Sequence, residues 1–154
     1  MNTNCTTLNI LFVQNSPCIR NYKMAKALRS KGHRVSLAYT DKPLSRMYPG
    51  LSDDAYDDSI QLSSYRHLWD ISGRFDLIHS HNEPDTLTVA ALACNAPVIH
   101  DTHDLISLRN HDNSMLSYYE GVANHGAIAS MDETGSHKTE GWVDSAALVK
   151  RTSI

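Results

Sequence analysis

The chain has 154 residues, 41% hydrophobic and 20% charged, enough for one globular domain with its own core and too few for two ordinary ones. Lys and Arg total 14 against 17 Asp and Glu, so the formal charge of −3 excludes a broad basic surface for nucleic acid or anionic membrane. Cys5, Cys18 and Cys94 form no CxxC pair, which leaves neither a zinc knuckle nor a thioredoxin-type dithiol. The apolar run Leu8 to Val13 is too short for a signal-peptide core, and no stretch approaches a transmembrane segment. A cytoplasmic chain with reduced thiols is expected.

In chain order, Leu8 to Val13 reads as a buried parallel strand because it is almost continuously apolar. After the polar loop Gln14 to Pro17, Cys18 to Lys31 reads as a helix, with Tyr22, Ala25 and Leu28 on one face and Gly32 as its stop. Arg34 to Tyr39 is a second strand, completing a βαβ unit. Residues 41–58 are loop-like, and the acidic cluster Asp53, Asp54, Asp57 and Asp58 reads as a solvated face. Ser59 to Leu62 is a short third strand, Tyr65 to Ile71 a short helix closed by Gly73, and Phe75 to Ser80 a fourth strand. A helix starts around Pro84 and runs through Thr86 to Asn95, followed by a fifth strand from Pro97 to His100. Met115 to Ala123 is expected to be helical, Ala127 to Ala129 a short strand, and Trp142 to Val149 a helix. The repeated alternation implies an α/β fold: a single Rossmann-like domain, a parallel sheet with helices on both faces. The domain is expected over residues 1–130, and residues 131–154 as an irregular or partly helical tail. The first strand should be central, flanked by Phe75 to His79 and Pro97 to His100.

Ligands of an open parallel sheet bind beyond the carboxyl ends of its strands. Three such ends are polar here: Gln14-Asn15-Ser16, His79-Ser80-His81-Asn82-Glu83 and His100-Asp101-Thr102-His103-Asp104. Four of the nine histidines lie at two of them, and His79 and His81 share a face if the strand runs that far. The loops after the first, fourth and fifth strands should therefore meet in one cleft holding Asn15, His81 and His103. A metal-dependent hydrolase could use such a histidine cluster, but the chain offers no clear further ligands, and no metal is expected. There is no GxSxG, and the glycine-free loop QNSPCIR excludes a dinucleotide cradle. Arg20, at the start of the first helix, either assists an anion there or is an ordinary surface residue.

The segments LNILFVQNS, KALRSKGHRVSLAYT, FDLIHSHNEPDTLTVAAL and APVIHDTHDLISL, in this order and spacing, resemble the N-terminal domain of GT-B glycosyltransferases of family 4. The likeness covers residues 8 to about 108 and extends weakly through YYEGVANHGAIAS. It implies the acceptor-side half of a retaining, sugar-nucleotide-dependent glycosyltransferase. His103 then falls on the catalytic histidine near the transferred sugar. His81 and Glu83 fall on the segment that shapes the acceptor side of the cleft, Asn15 to Arg20 on the loop that often touches donor phosphate or acceptor, and Asp104 is implied among the substrate-binding residues.

The family pattern usually has a glycine pair in the first loop, where this chain has Ser16-Pro17-Cys18. Its nucleotide-binding half carries an E-x7-E motif and a basic pair, and residues 110–154 contain no such segment. The resemblance therefore implies a half-enzyme or a fragment, inactive alone, whose partner would be a C-terminal nucleotide-binding half as a separate chain. No cofactor is implied, the sugar nucleotide being the donor substrate. The acceptor would be a small-molecule or lipid-linked sugar, with the chain cytoplasmic or peripheral at the inner face of the membrane. The competing readings are a non-catalytic binding or regulatory module that retains the fold, and the metal-dependent hydrolase.

Overall fold

Five strands run parallel in one sheet: β1 (Asn9–Gln14), β2 (Arg34–Tyr39), β3 (Asp58–Gln61), β4 (Leu77–His81) and β5 (Val98–Asp101). A sixth, β6 (Ala147–Lys150), pairs antiparallel to β5, and the order across the sheet is β3-β2-β1-β4-β5-β6. Among the described residues four helices lie between them: α1 (Ile19–Ser30), α2 (Leu44–Met47), α3 (Tyr65–Ser72) and α4 (Asp85–Leu92). This computed structural model describes residues 6–81, 85–101 and 147–150. The expected features at Met115 to Ala123 and Ala127 to Ala129 lie outside those residues.

Strand alternation splits the core into two layers. Ile10 and Phe12 of β1, with Val35 and Leu37 of β2, pack under Ala25 of α1 and Leu44 of α2. Leu11, Val13 and Ile78 face the other way, against Leu68 and Ile71 of α3 and Leu87, Ala90 and Ala91 of α4. Burial on both faces is what the near-continuous apolar strands require. The architecture is Rossmann-like α/β with helices on both faces, as the sequence implies.

Local chemistry sets the ends of α1. Cys18 Sγ accepts from the Asn21 backbone N–H at 3.5 Å at its start. At its end the Gly32 N–H donates to the Arg29 carbonyl at 2.9 Å, with Gly32 at φ +89°, where a side chain would be strained.

Three expectations change. β1 lies between β2 and β4, and β5 lies beyond β4 rather than beside β1. The tight β1–α1–β2 connection places β2 on one flank of β1, so only the other flank is open to a later strand. Residues 41–58 are not wholly loop: they hold α2 and a single 3-10 turn over Asp53–Ala55. Two of the four acidic groups are engaged, Asp53 accepting from the Ser45 hydroxyl at 2.5 Å and Asp57 from the Val35 N–H at 2.7 Å, while Asp54 and Asp58 are exposed, as a solvated face requires. Finally, Ala147 to Val149, expected within a helix, are extended in β6. Pairing there covers the edge of β5 that would otherwise expose its backbone polar groups.

Candidate functional site

The strand order reverses direction at β1. From β1 the chain moves outward to β2 and β3, then returns to place β4 and β5 on the opposite flank. The carboxyl ends of β1 and β4 therefore border the topological switch point, where open α/β sheets leave a crevice.

On the α1 face of this crevice four polar side chains form a series. The ladder sets His81 directly abreast of Asp101 and Phe12 abreast of His79. His79 and His81 lie two residues apart on one face, with Nδ1 of the first 3.1 Å from Nε2 of the second and their rings edge to face. Phe12 packs against both rings, at centroid distances of 4.9 and 5.1 Å. His81 Nδ1 faces Asp101 Oδ2 at 3.6 Å, and Arg20 Nη2 donates to Asp101 Oδ1 at 2.9 Å. His81 is fully buried and Asp101 nearly so, whereas the Arg20 side chain is 43% exposed. The series thus runs from the interior to the surface. Burial pushes His79 down to about 4; the nearby Asp101 carboxylate opposes that shift and the Arg20 charge adds to it. His79 is therefore neutral at pH 7.

A second buried network holds α1 in place. Asn21 donates to Gln14 Oε1 at 3.2 Å, and the Tyr56 hydroxyl donates to Asn21 Oδ1 at 2.7 Å. It links the end of β1, the first turn of α1 and the residue after the 3-10 turn. On the opposite face of the sheet, Thr88 Oγ1 of α4 lies 2.6 Å from Ser80 Oγ and 3.2 Å from His100 Nδ1. All three are fully buried, so this trio joins α4 to β4 and β5 rather than lining the crevice.

Of the residues singled out in the sequence, Arg20 and His81 converge on Asp101. Asn15 turns towards the other flank of β1, where its side-chain oxygen accepts from the Thr40 hydroxyl and its carbonyl from the Asp41 N–H at 2.9 Å. Glu83, His103 and Asp104 lie outside the described residues. The sequence marks Asp101 only as part of a polar strand end, although it joins the other two. The available signal was an acid closing an apolar strand beside a histidine pair, but its partner Arg20 lies 81 residues away.

A crevice of about 400 Å3, lined by Thr40, Leu62, Ser63, Ser64 and Tyr65, opens beyond β2 and β3 at the same end of the sheet. Another, of about 310 Å3, lies at the strands' opposite ends, among Asn9, Arg34, Asp57 and Phe75. Among the described residues, no group of three or more His, Cys, Asp or Glu side chains is arranged to hold a metal ion. No described helix is long and apolar enough to cross a membrane.

The family model for glycosyltransferase family 4 matches residues 20–128. That span contains α1 from Arg20 onwards, the four following parallel strands and every residue of the Arg20–Asp101–His81–His79 series. None of the curated proteins matches the chain.

Proposed function

Because the chain belongs to glycosyltransferase family 4, we propose that it is the acceptor-side half of a retaining, sugar-nucleotide-dependent transferase of GT-B architecture. The observation that carries this reading is the convergence of Arg20, His81 and Asp101 at the β1/β4 switch point. His103, two residues beyond Asp101, is assigned to the reacting sugar. Asn15, Arg20, Glu83 and Asp104 are assigned to acceptor or donor phosphate. The hydroxyl-rich crevice beside β2 and β3 suits a neutral saccharide portion of the acceptor, free or lipid-linked. The protein would work in the cytoplasm, at the membrane surface when its acceptor is a lipid.

Glycosyl transfer requires stabilisation of a departing diphosphate by preorganised cations, backbone N–H groups or a metal. The loop after β1 contains no glycine for a phosphate cradle. Arg20, the nearest cation among the described residues, already donates to Asp101, although its guanidinium has further N–H groups to offer. The 154-residue polypeptide is therefore expected not to transfer sugar by itself. A nucleotide-binding half, separate or continuous with it, would complete the site and allow closure over the substrates.

Two measurements test this reading. The purified polypeptide, incubated with UDP-glucose, UDP-N-acetylglucosamine or GDP-mannose and a saccharide acceptor panel, should release no nucleoside diphosphate. Adding a matching nucleotide-binding half should restore transfer, and His103→Ala should then remove most of it. Turnover by the polypeptide alone sinks the half-enzyme reading. Saccharide-induced amide shifts confined to the Asn9, Arg34 and Phe75 end of the sheet would move the site elsewhere.

A further inference from the structure

Among the described residues four large hydrophobic side chains are exposed, and two of them are the aromatics Tyr65 and Trp69, at 44% and 49%. They stand four residues apart on α3, so they are neighbours on one flank of the helix. That flank faces α4, while Leu68 and Ile71 of the same helix enter the core. Each aromatic is tied to α4 by its polar tip. The Tyr65 hydroxyl lies 2.7 Å from Thr86 Oγ1, and Trp69 Nε1 donates to the Ala90 carbonyl at 2.9 Å. With both tips spent inside the protein, the surface left to solvent is chiefly ring. The rings are ordered before any ligand arrives, so stacking on them costs little side-chain entropy.

Two neighbouring features say what chemistry this surface suits. Tyr65 also lines the crevice of about 400 Å3 beyond β2 and β3, beside the hydroxyl residues Thr40, Ser63 and Ser64. The aromatic strip is therefore continuous with a hydroxyl-lined crevice. The charges exposed on α3 are Arg66 and Asp70, one of each sign. That balance offers no attraction to anionic lipid or to a strongly charged protein surface. A sugar chain matches both parts: its C–H faces pack on aromatic rings, and its hydroxyls bond to hydroxyl side chains. The helical turn between the two rings is about the advance of one sugar unit.

We propose that Tyr65 and Trp69 form a stacking platform that extends the crevice and takes the outer units of a linear, neutral oligosaccharide. This rests on the proposed function and deepens it, making the acceptor a saccharide chain and not a single sugar. One unit occupies the crevice against Thr40, Ser63 and Ser64; the next stacks on Tyr65 and the one beyond on Trp69. The platform binds the chain and touches no reacting atom.

The test titrates the 15N-labelled polypeptide with glucose, mannose and N-acetylglucosamine, and with maltotetraose, α-1,6-mannotetraose and chitotetraose. For at least one sugar the tetramer should bind more tightly than the monomer and shift the Trp69 indole N–H, which Trp69→Leu distinguishes from that of Trp142. Trp69→Leu, apolar but without a ring face, should lower tetramer affinity about two- to tenfold and leave monomer binding unchanged. Trp69→Phe, which keeps a ring face, should retain most of the gain. A gain that survives Trp69→Leu, a tetramer bound no better than its monomer, or no saccharide binding at all overturns the proposal. So does binding to phosphatidylglycerol or phosphatidylcholine vesicles that Trp69→Leu abolishes with no chain-length gain, which assigns the strip to a membrane. If Trp69→Leu does not fold, Tyr65→Leu makes the same comparison. Monomer binding in the crevice and the chain-length gain are read separately and no transfer is measured, so the platform can fail while the half-enzyme reading stands.

Discussion

Arg20 and Asp101 are 81 residues apart in the chain and joined at 2.9 Å in the fold. Arg20 stands in the first turn of α1, and Asp101 is the last residue of β5, across the switch point from β1. The pair ties together two elements that share no ladder. Its buried member also faces His81, so the contact couples helix placement to the state of a buried imidazole.

Removing Arg20 should be felt in stability. Arg20→Ala leaves a nearly buried carboxylate without its cation. Loss of one partner from a fully buried pair costs about 3–5 kcal/mol, and the solvent reaching Arg20 reduces this to about 1–2 kcal/mol. Urea unfolding measures it. In a double-mutant cycle Arg20→Ala with Asp101→Asn should be less destabilising than the sum of the two single changes.

Acid should destabilise the fold through His79. Its folded-state value is depressed to about 4 from the ordinary 6.5, so between those pH values the unfolded chain binds a proton that the folded chain refuses. Stability from this group is complete above pH 6.5 and is lost as pH falls towards 4. At about 1.36 kcal/mol per pH unit the full loss is on the order of 3 kcal/mol. Thermal melts across the window should show the drop, and His79→Gln should flatten it. An equally steep profile in His79→Gln would assign the effect to other groups.

Tyr56→Phe should loosen α1. Burial, with the nearby Cys18 and Asp53 adding to it, pushes the Tyr56 phenol above its usual range, so the hydroxyl stays a donor to Asn21. Without it a fully buried amide oxygen loses its partner, a cost of about 1–3 kcal/mol. Amide exchange should accelerate first in α1, with global unfolding shifted by the same order.

Phe12→Ala combines a cavity with a loosened histidine pair. Truncating this fully buried ring should cost about 3–5 kcal/mol. Phe12→Leu should cost less and keep the fold, while broadening the ring signals of His79 and His81 as their packing partner shrinks. Sharp, unshifted histidine signals in Phe12→Leu would show that the ring does not restrain them.

Much of the scaffold was legible because it rests on local periodicity. The apolar run Leu8 to Val13, the spacing of Tyr22, Ala25 and Leu28, and the stop at Gly32 each lie within a few residues of the contacts that enforce them. The shared face of His79 and His81 followed from strand geometry alone. The one-turn α2 was less visible, because its single buried anchor, Leu44, sits among prolines and polar residues that read as loop.

By itself, then, the sequence determined the α/β alternation, the polar carboxyl ends of β1, β4 and β5, and the family motifs, since each is written in contiguous residues. Tertiary structure alone decided that β4 rather than β5 lies beside β1, that β6 closes the far edge antiparallel, and that Asn15 bonds towards β2. It also made Asp101 the meeting point of Arg20 and His81. The physical reason is that strand order and ion pairing are settled by which surfaces are left open once the nearest neighbours have packed, and no local period encodes that competition.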